Sequence, residues 1–309
     1  MTEAVQSQPV STTDHQRSGS VLWGLVVASR PRQWVKNVLV AAAPLAAGTL
    51  GDVSVAGTTA LAFAIFSLAA SSNYLINDVA DIDLDRQHPQ KMHRPIASGL
   101  VPVRVAVIVA GVLGALACAL PALLGSPKLS LAVVVYVALN LGYNLGLKHE
   151  RVIDISIVSS GFLLRAIAGG VASDLPLSRW FLIVAAFGSL FIVAGKRYSE
   201  LVTLADKAAA TRPSLVGYSA SYLRFVWSIA AAVTITAYCL WAFEVGDHPG
   251  HPPWGPLSVA PFVVGMLRYA LDVDGGRTGA PEEIALSDRV LMTLGVIWLV
   301  VFSLGAFSS

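Results

Sequence analysis

The chain has 309 residues, of which 55% are hydrophobic and only 13% charged, and its mean hydropathy is +0.67. A soluble domain carries about a quarter charged residues, so a water-soluble globule is excluded. The net charge of +2 offers no basis for binding nucleic acid. No strand-like alternation appears between the apolar runs, which leaves an all-α, polytopic membrane bundle as the fold class.

Residues 1–20 are polar and rich in Ser, Thr and Gln, which reads as a disordered cytosolic tail without a cleavable signal peptide. Residues 21–309 read as a single transmembrane catalytic domain. A short amphipathic piece at 21–30 is expected to lie in the membrane interface. Nine spans are predicted, at roughly 34–50, 55–77, 101–122, 128–146, 152–172, 179–197, 221–243, 254–271 and 288–307. With the N-terminus inside, eighteen of the 21 Lys and Arg residues fall on the cytosolic side. Only Lys128 and Arg179 fall outside, and Arg165 lies within a span. This bias sets the predicted orientation. Cys118 and Cys239 sit inside apolar segments and imply neither a disulfide nor a thiolate metal site.

The second span ends in NYLINDVADIDLDRQHPQKMHRPIASG, Asn73 to Gly99. If the helix continues, Asp78, Asp81 and Asp85 share one face beside Asn77, while Asp83 points away. Carboxylates so close repel one another unless a cation sits among them, and hard oxygen ligands suit Mg²⁺ together with substrate phosphates. Arg86, Lys91, His93 and Arg94 follow directly and supply charge for those phosphates. The pattern reads as a metal–diphosphate site at a membrane surface.

Other polar groups fall on the same predicted side. Arg32, Lys36 and Asn37 open the first span, as phosphate-binding or anchoring residues. Tyr143, Asn144, Lys148, His149 and Arg151 cluster after the fourth. Arg165, in SSGFLLRAIAGGVAS, is an intramembrane arginine, which needs a polar cavity or a partner. AGKRYSEL ends the sixth span with Lys196, Arg197, Tyr198 and Glu200, where Lys196 and Arg197 can meet Glu200 at helical spacing. His248 and His251 lack a third ligand and read as a solvated turn. The run from Asp272 to Glu283 departs from a calcium loop at two positions and is set aside.

Together RPRQWVKN, NDVADIDLDRQHPQKMHRPIASG and the second charged helix end resemble the UbiA-type membrane prenyltransferase superfamily, over nearly the whole chain. LKHERVIDI, FGSLFIVAGKRYSEL, YLRFVWS and RYALDVDGG resemble more narrowly its phosphoribosyltransferase branch, which acts on decaprenyl phosphate in the actinobacterial cell wall. The resemblance implies a UbiA-like bundle around a cytosol-facing cavity in the bacterial cell membrane. It implies transfer of 5-phosphoribosyl from 5-phosphoribosyl 1-diphosphate to decaprenyl phosphate, toward the arabinan precursor, with Mg²⁺ as cofactor. Where the wider superfamily carries a second aspartate-rich motif, this chain reads KRYSE, with Glu200 its only acid.

On that reading Asp78, Asp81 and Asp85 hold the metal and Asn77 orients donor or aspartate. Lys91, Arg94, Lys148, Lys196 and Arg197 hold phosphates, and Tyr198 and Glu200 contact ribose or a metal-bound water. Lys36 and Arg165 are the candidates for the lipid phosphate. Prenyl transfer to an aromatic or other acceptor is the alternative within the fold, and a transporter the alternative outside it. The oligomeric state stays open, a homo-oligomer included.

Overall fold

A computed structural model describes residues 20–203, 217–246, 252–276 and 287–308. The expected tail up to residue 19, the His248 and His251 turn, and Glu283 lie outside the described residues.

Helix α1 (Val21–Ala28) is capped by Ser20, whose hydroxyl accepts from the Trp23 amide. It packs Gly24 and Ala28 inward and leaves Leu22 and Trp23 exposed. The expected interfacial piece is therefore a separate helix. A 3₁₀ helix (Pro31–Ala41) follows, running into the short α2 (Ala42–Ala46). The predicted span 34–50 is thus not one continuous α-helix. Pro44 has no N–H to return to the Val40 carbonyl, and Gly169 packs against that oxygen so closely that an added Cβ would lie 1.6 Å from it.

Seven helices among the described residues are long and apolar enough to cross a membrane. They are α3 (Val53–Ala80), α5 (Val103–Leu123), α7 (Ile153–Ala172), α8 (Arg179–Thr203), α9 (Ala220–Gly246), α10 (Trp254–Asp274) and α11 (Arg289–Ser308). Each matches a predicted span to within three residues at either end, except α8, which runs six residues past its predicted end. The remaining expected span, 128–146, is α6 (Pro127–Asn144), an 18-residue helix whose apolar run is diluted by Lys128, Asn140 and Asn144.

Successive long helices reverse direction, so the C-termini of α3, α6, α8 and α10 meet the N-termini of α5, α7, α9 and α11 at one end. Two aromatic-rich cores support that end and its opposite. Phe191, Tyr198, Trp227 and Tyr269 join α8, α9 and α10, and Tyr238, Phe302 and their neighbours join α9 to α11. A third core sets Val40 against Phe66, Val133, Tyr136 and Ala168. It fastens the 3₁₀ helix to α3, α6 and α7.

Candidate active site

The acidic motif begins on α3 and does not remain a straight helix. Asp81 leaves helical geometry at φ −100° and ψ 11°, and α4 (Ile82–Gln87) resumes after it. The bend preserves the expected sidedness. Asp78 and Asp85 are each 2% exposed, while the Asp83 side chain is 86% exposed and lies 3.7 Å from Arg86.

Each inward carboxylate is met by a cation from elsewhere in the chain. Arg94 Nη1 donates to Asp85 Oδ2 at 2.6 Å and to Asp78 Oδ1 at 3.1 Å, so the two aspartates share one guanidinium nitrogen. Arg30 Nη2 donates to the same Asp78 oxygen at 2.5 Å and its guanidinium stacks 5.0 Å over the Tyr74 ring. Asp81 accepts from Lys148 Nζ at 2.5 Å and from Asn77 Nδ2 at 3.3 Å. Three acids and three bases thus interlock at one end of the bundle.

The supporting bonds explain why these side chains stay in place. Arg86 Nε donates to the Ala97 carbonyl at 3.2 Å and closes the loop that carries Lys91 and Arg94. One turn before Asn77, Asn73 donates to Asn140 and accepts from Asn144, both at 2.9 Å. This amide ladder joins α3 to α6, and a 3₁₀ turn after α6 (Leu147–His149) delivers Lys148.

The KRYSE helix end forms two further clusters at the same end. Arg197 Nε and Nη2 donate to the two oxygens of Asp154 at 3.1 and 3.0 Å, and Nη1 reaches Glu200 at 3.4 Å. Tyr143 also donates to Asp154, at 2.9 Å. The Arg197 and Asp154 side chains are 4% and 1% exposed, so Arg197 is committed to a buried pair and not presented outward. Tyr198 donates to Asp274 at 2.9 Å and accepts from Arg224, which itself reaches Asp274 at 2.8 Å.

Arg165 is also committed. It is 6% exposed and donates to Asn37 at 2.7 Å, to the Gly161 carbonyl at 2.7 Å and to Tyr136 at 3.0 Å. Asn37 in turn donates to Ser67 at 3.0 Å. This network pins the 3₁₀ helix to α3, α6 and α7, which is how a buried guanidinium is stabilised without an ion pair among its bonds.

Sequence reasoning overlooked Arg30, Asp154 and Asp274 as functional candidates. Arg30 precedes a proline, a position biased away from α geometry, and Asp154 is an acid inside an apolar run. Both signals were visible. Their partners, 48 and 43 residues away, were not.

The donors fit a hard divalent cation in part. Asp78 and Asp85 already converge on one positive nitrogen, which is the arrangement Mg²⁺ favours: one or two carboxylates, with phosphates completing its coordination. Asp81 turns to Lys148 instead, and no three His, Cys, Asp or Glu side chains gather around a metal position among the described residues.

The model of the UbiA prenyltransferase family matches residues 37–286. A decaprenyl-phosphate phosphoribosyltransferase of Mycobacterium tuberculosis H37Rv is 51% identical over 303 residues, covering 97% of each chain. One of Corynebacterium glutamicum is 50% identical over 287 residues, covering 89% of this chain and 84% of that protein. Among solved structures, a UbiA homologue from Archaeoglobus fulgidus bound to DMAPP and Mg²⁺ superposes with a TM-score of 0.68 at 18% identity. It covers 92% of this chain and 99% of that one.

Proposed function

The chain belongs to the UbiA prenyltransferase family, and on that premise we propose that it transfers 5-phosphoribosyl from 5-phosphoribosyl 1-diphosphate to decaprenyl phosphate. The products are decaprenylphosphoryl-5-phosphoribose and diphosphate. The observation that carries this reading is identity of 51% along 97% of both chains with a phosphoribosyltransferase of that name.

The protein is an integral membrane protein with seven candidate spans among the described residues. We read α6 and the 3₁₀–α2 segment as the eighth and ninth crossings. The charged end is read as cytosolic, in the bacterial cell membrane, with the cavity opening there toward a soluble donor. The lysine and arginine bias supports that orientation.

Asp78 and Asp85, with Asp81, are the residues that would hold Mg²⁺. The ion would neutralise charge on the departing diphosphate. Arg94 and Lys148 can exchange an aspartate for a phosphate oxygen, since a guanidinium carries five N–H donors and an ammonium three. Lys91 and Lys196 add charge on either side. As the C1–O bond to diphosphate breaks, its electron pair leaves with the diphosphate and C1 becomes oxocarbenium-like. These cations stabilise the negative charge that develops on the diphosphate. An oxygen of the lipid phosphate forms the new bond to C1, and because that phosphate is already ionised it needs no general base. Asn77 orients Asp81. Arg197, fixed by Asp154, orients Glu200 toward the ribose hydroxyls.

The donor decides between this reading and prenyl transfer. Purified protein incubated with Mg²⁺, decaprenyl phosphate and ribose-labelled donor is expected to move label into organic solvent, and EDTA to abolish the transfer. Turnover of a prenyl diphosphate with an aromatic acceptor, and none of the sugar donor, would assign the alternative.

A further inference from the structure

The 3₁₀ helix Pro31–Ala41 is 11 residues long, where such helices rarely exceed three or four. At three residues per turn, side chains three apart eclipse one another, so the segment sorts into three faces. Trp34, Asn37 and Val40 form the first and turn into the bundle. Trp34 donates to Ser71 at 3.1 Å, Asn37 bonds Ser67 and Arg165, and Val40 is 1% exposed. Arg32, Val35 and Val38 form the second and turn outward, the two valines being 52% and 57% exposed. Valines so exposed on a membrane bundle meet lipid.

The third face carries Gln33 and Lys36, half-buried between the other two, and ends on Leu39, 38% exposed, with the half-buried Arg30 as its N-terminal cap. Arg30 caps it in left-handed geometry, φ 53° and ψ 61°, which is costly for any residue other than glycine. That backbone aims its guanidinium at Asp78 and over Tyr74. A rise of about 2 Å per residue sets Lys36 about 12 Å further along the axis. A polar strip bearing two cations therefore runs from the aspartate site along the bundle wall. It is bordered by a lipid-facing row and preceded by α1, whose Leu22 and Trp23 are 75% and 62% exposed.

We propose that Arg30, Gln33 and Lys36 form the subsite for the anionic head of the lipid acceptor, with its chain lying along the valine row. The identity of that lipid as a polyprenyl phosphate rests on the function proposed above. A water-soluble donor has no need of a strip beside lipid, whereas a membrane-borne phosphate must reach the aspartates from that side. Arg165 does not serve this role, because its guanidinium is buried and bonded to Asn37, Gly161 and Tyr136.

The test is retention of decaprenyl phosphate against decaprenol by the purified full-length protein in detergent, without donor or metal. The wild-type protein is expected to retain the phosphate about tenfold or more over the alcohol, the scale of one charge-assisted contact. Arg30→Gln combined with Lys36→Met should bring the ratio close to one while decaprenol retention is unchanged. Arg32, expected from the sequence to bind phosphate or to anchor, is exposed on the outward face, which leaves it the anchoring role, and Arg32→Gln should leave the ratio intact. Should the double variant fail to fold, Lys36→Met alone gives the reading through a severalfold fall. A ratio unchanged in these variants, lowered equally by Arg32→Gln, or near one in the wild type overturns the proposal. The ratio requires no turnover, so absence of phosphoribosyl transfer with an intact, variant-sensitive ratio would count against the proposed reaction and not against the subsite.

Discussion

Arg197 and Asp81 both carry hydrogen-bonded charge, yet they should behave differently when altered. The Arg197–Asp154 pair is almost fully buried, and removing one partner of such a pair leaves an uncompensated charge worth about 3–5 kcal/mol. Asp154→Ala is therefore expected to lower the thermal midpoint sharply and to reduce the yield of monodisperse protein. The Asp81 and Lys148 side chains remain 23% and 18% exposed, so Asp81→Asn should fold normally. It should nonetheless lose about 100-fold or more in kcat/KM, on the scale of removing one group that stabilises developing charge. Full activity in Asp81→Asn would remove the residue from the site. The inward grouping of Asp78 and Asp85 was legible, because seven residues are close to two helical turns and the bend at Asp81 leaves both inward. The commitment of Arg197 and Arg165 to buried partners was not legible. Spacing along one helix reveals neighbours on that helix, and Asp154 and Asn37 lie on others.

At the level of elements, the close approach of Gly169 to Val40 holds the 3₁₀ helix against α7. Gly169→Ala would place a Cβ 1.6 Å from a carbonyl oxygen, and overpacking of this kind costs about 1–3 kcal/mol or more. Gly111 lies inside α5 with nothing within 4 Å of an added Cβ, so Gly111→Ala should be neutral or stabilising by up to about 1 kcal/mol. Thermal unfolding of the two variants side by side checks the pair. Asp288 offers a pH-dependent test at the start of α11. It accepts from Arg268 at 2.7 Å and from the amides of Val290 and Leu291, and these bonds lower its pKa from 3.8 to about 2. A depressed carboxylate stabilises the fold above its unfolded pKa and ceases to do so as pH falls through the folded one. The thermal midpoint should accordingly fall between pH 4 and pH 2, and Asp288→Asn should flatten that portion of the curve. Seven of the nine predicted spans are apparent as candidate crossings because length and apolarity alone identify them. The 3₁₀ helix escaped notice because hydropathy does not distinguish it from an α-helix. Its threefold alternation of Trp34, Asn37 and Val40 against Val35 and Val38 was nevertheless written in the chain.

Among the described residues the buried ionic clusters gather at one end of an alternating bundle, while the exposed Lys128–Asp174 and Arg179–Glu244 pairs lie at the other. The proposed orientation turns the first end to the cytosol. With Cys118 and Cys239 replaced by alanine, a cysteine at Lys128 should react with a membrane-impermeant maleimide on intact cells, and one at Arg86 only after permeabilisation. The reverse pattern would invert the topology. The all-α membrane class followed from composition, whereas the reaction did not. A bundle with charged helix ends suits several transferases, and only the ordered set of motifs along the chain points to phosphoribosyl transfer. The central claim is that the sugar phosphate moves to the lipid while diphosphate departs. It is tested most directly with a donor labelled by one isotope in the 5-phosphate and another in the diphosphate, incubated with decaprenyl phosphate and Mg²⁺. The 5-phosphate label is expected in the lipid phase and the diphosphate label wholly in the aqueous phase. Diphosphate label in the lipid, or no label there from a well-folded sample, would contradict the account.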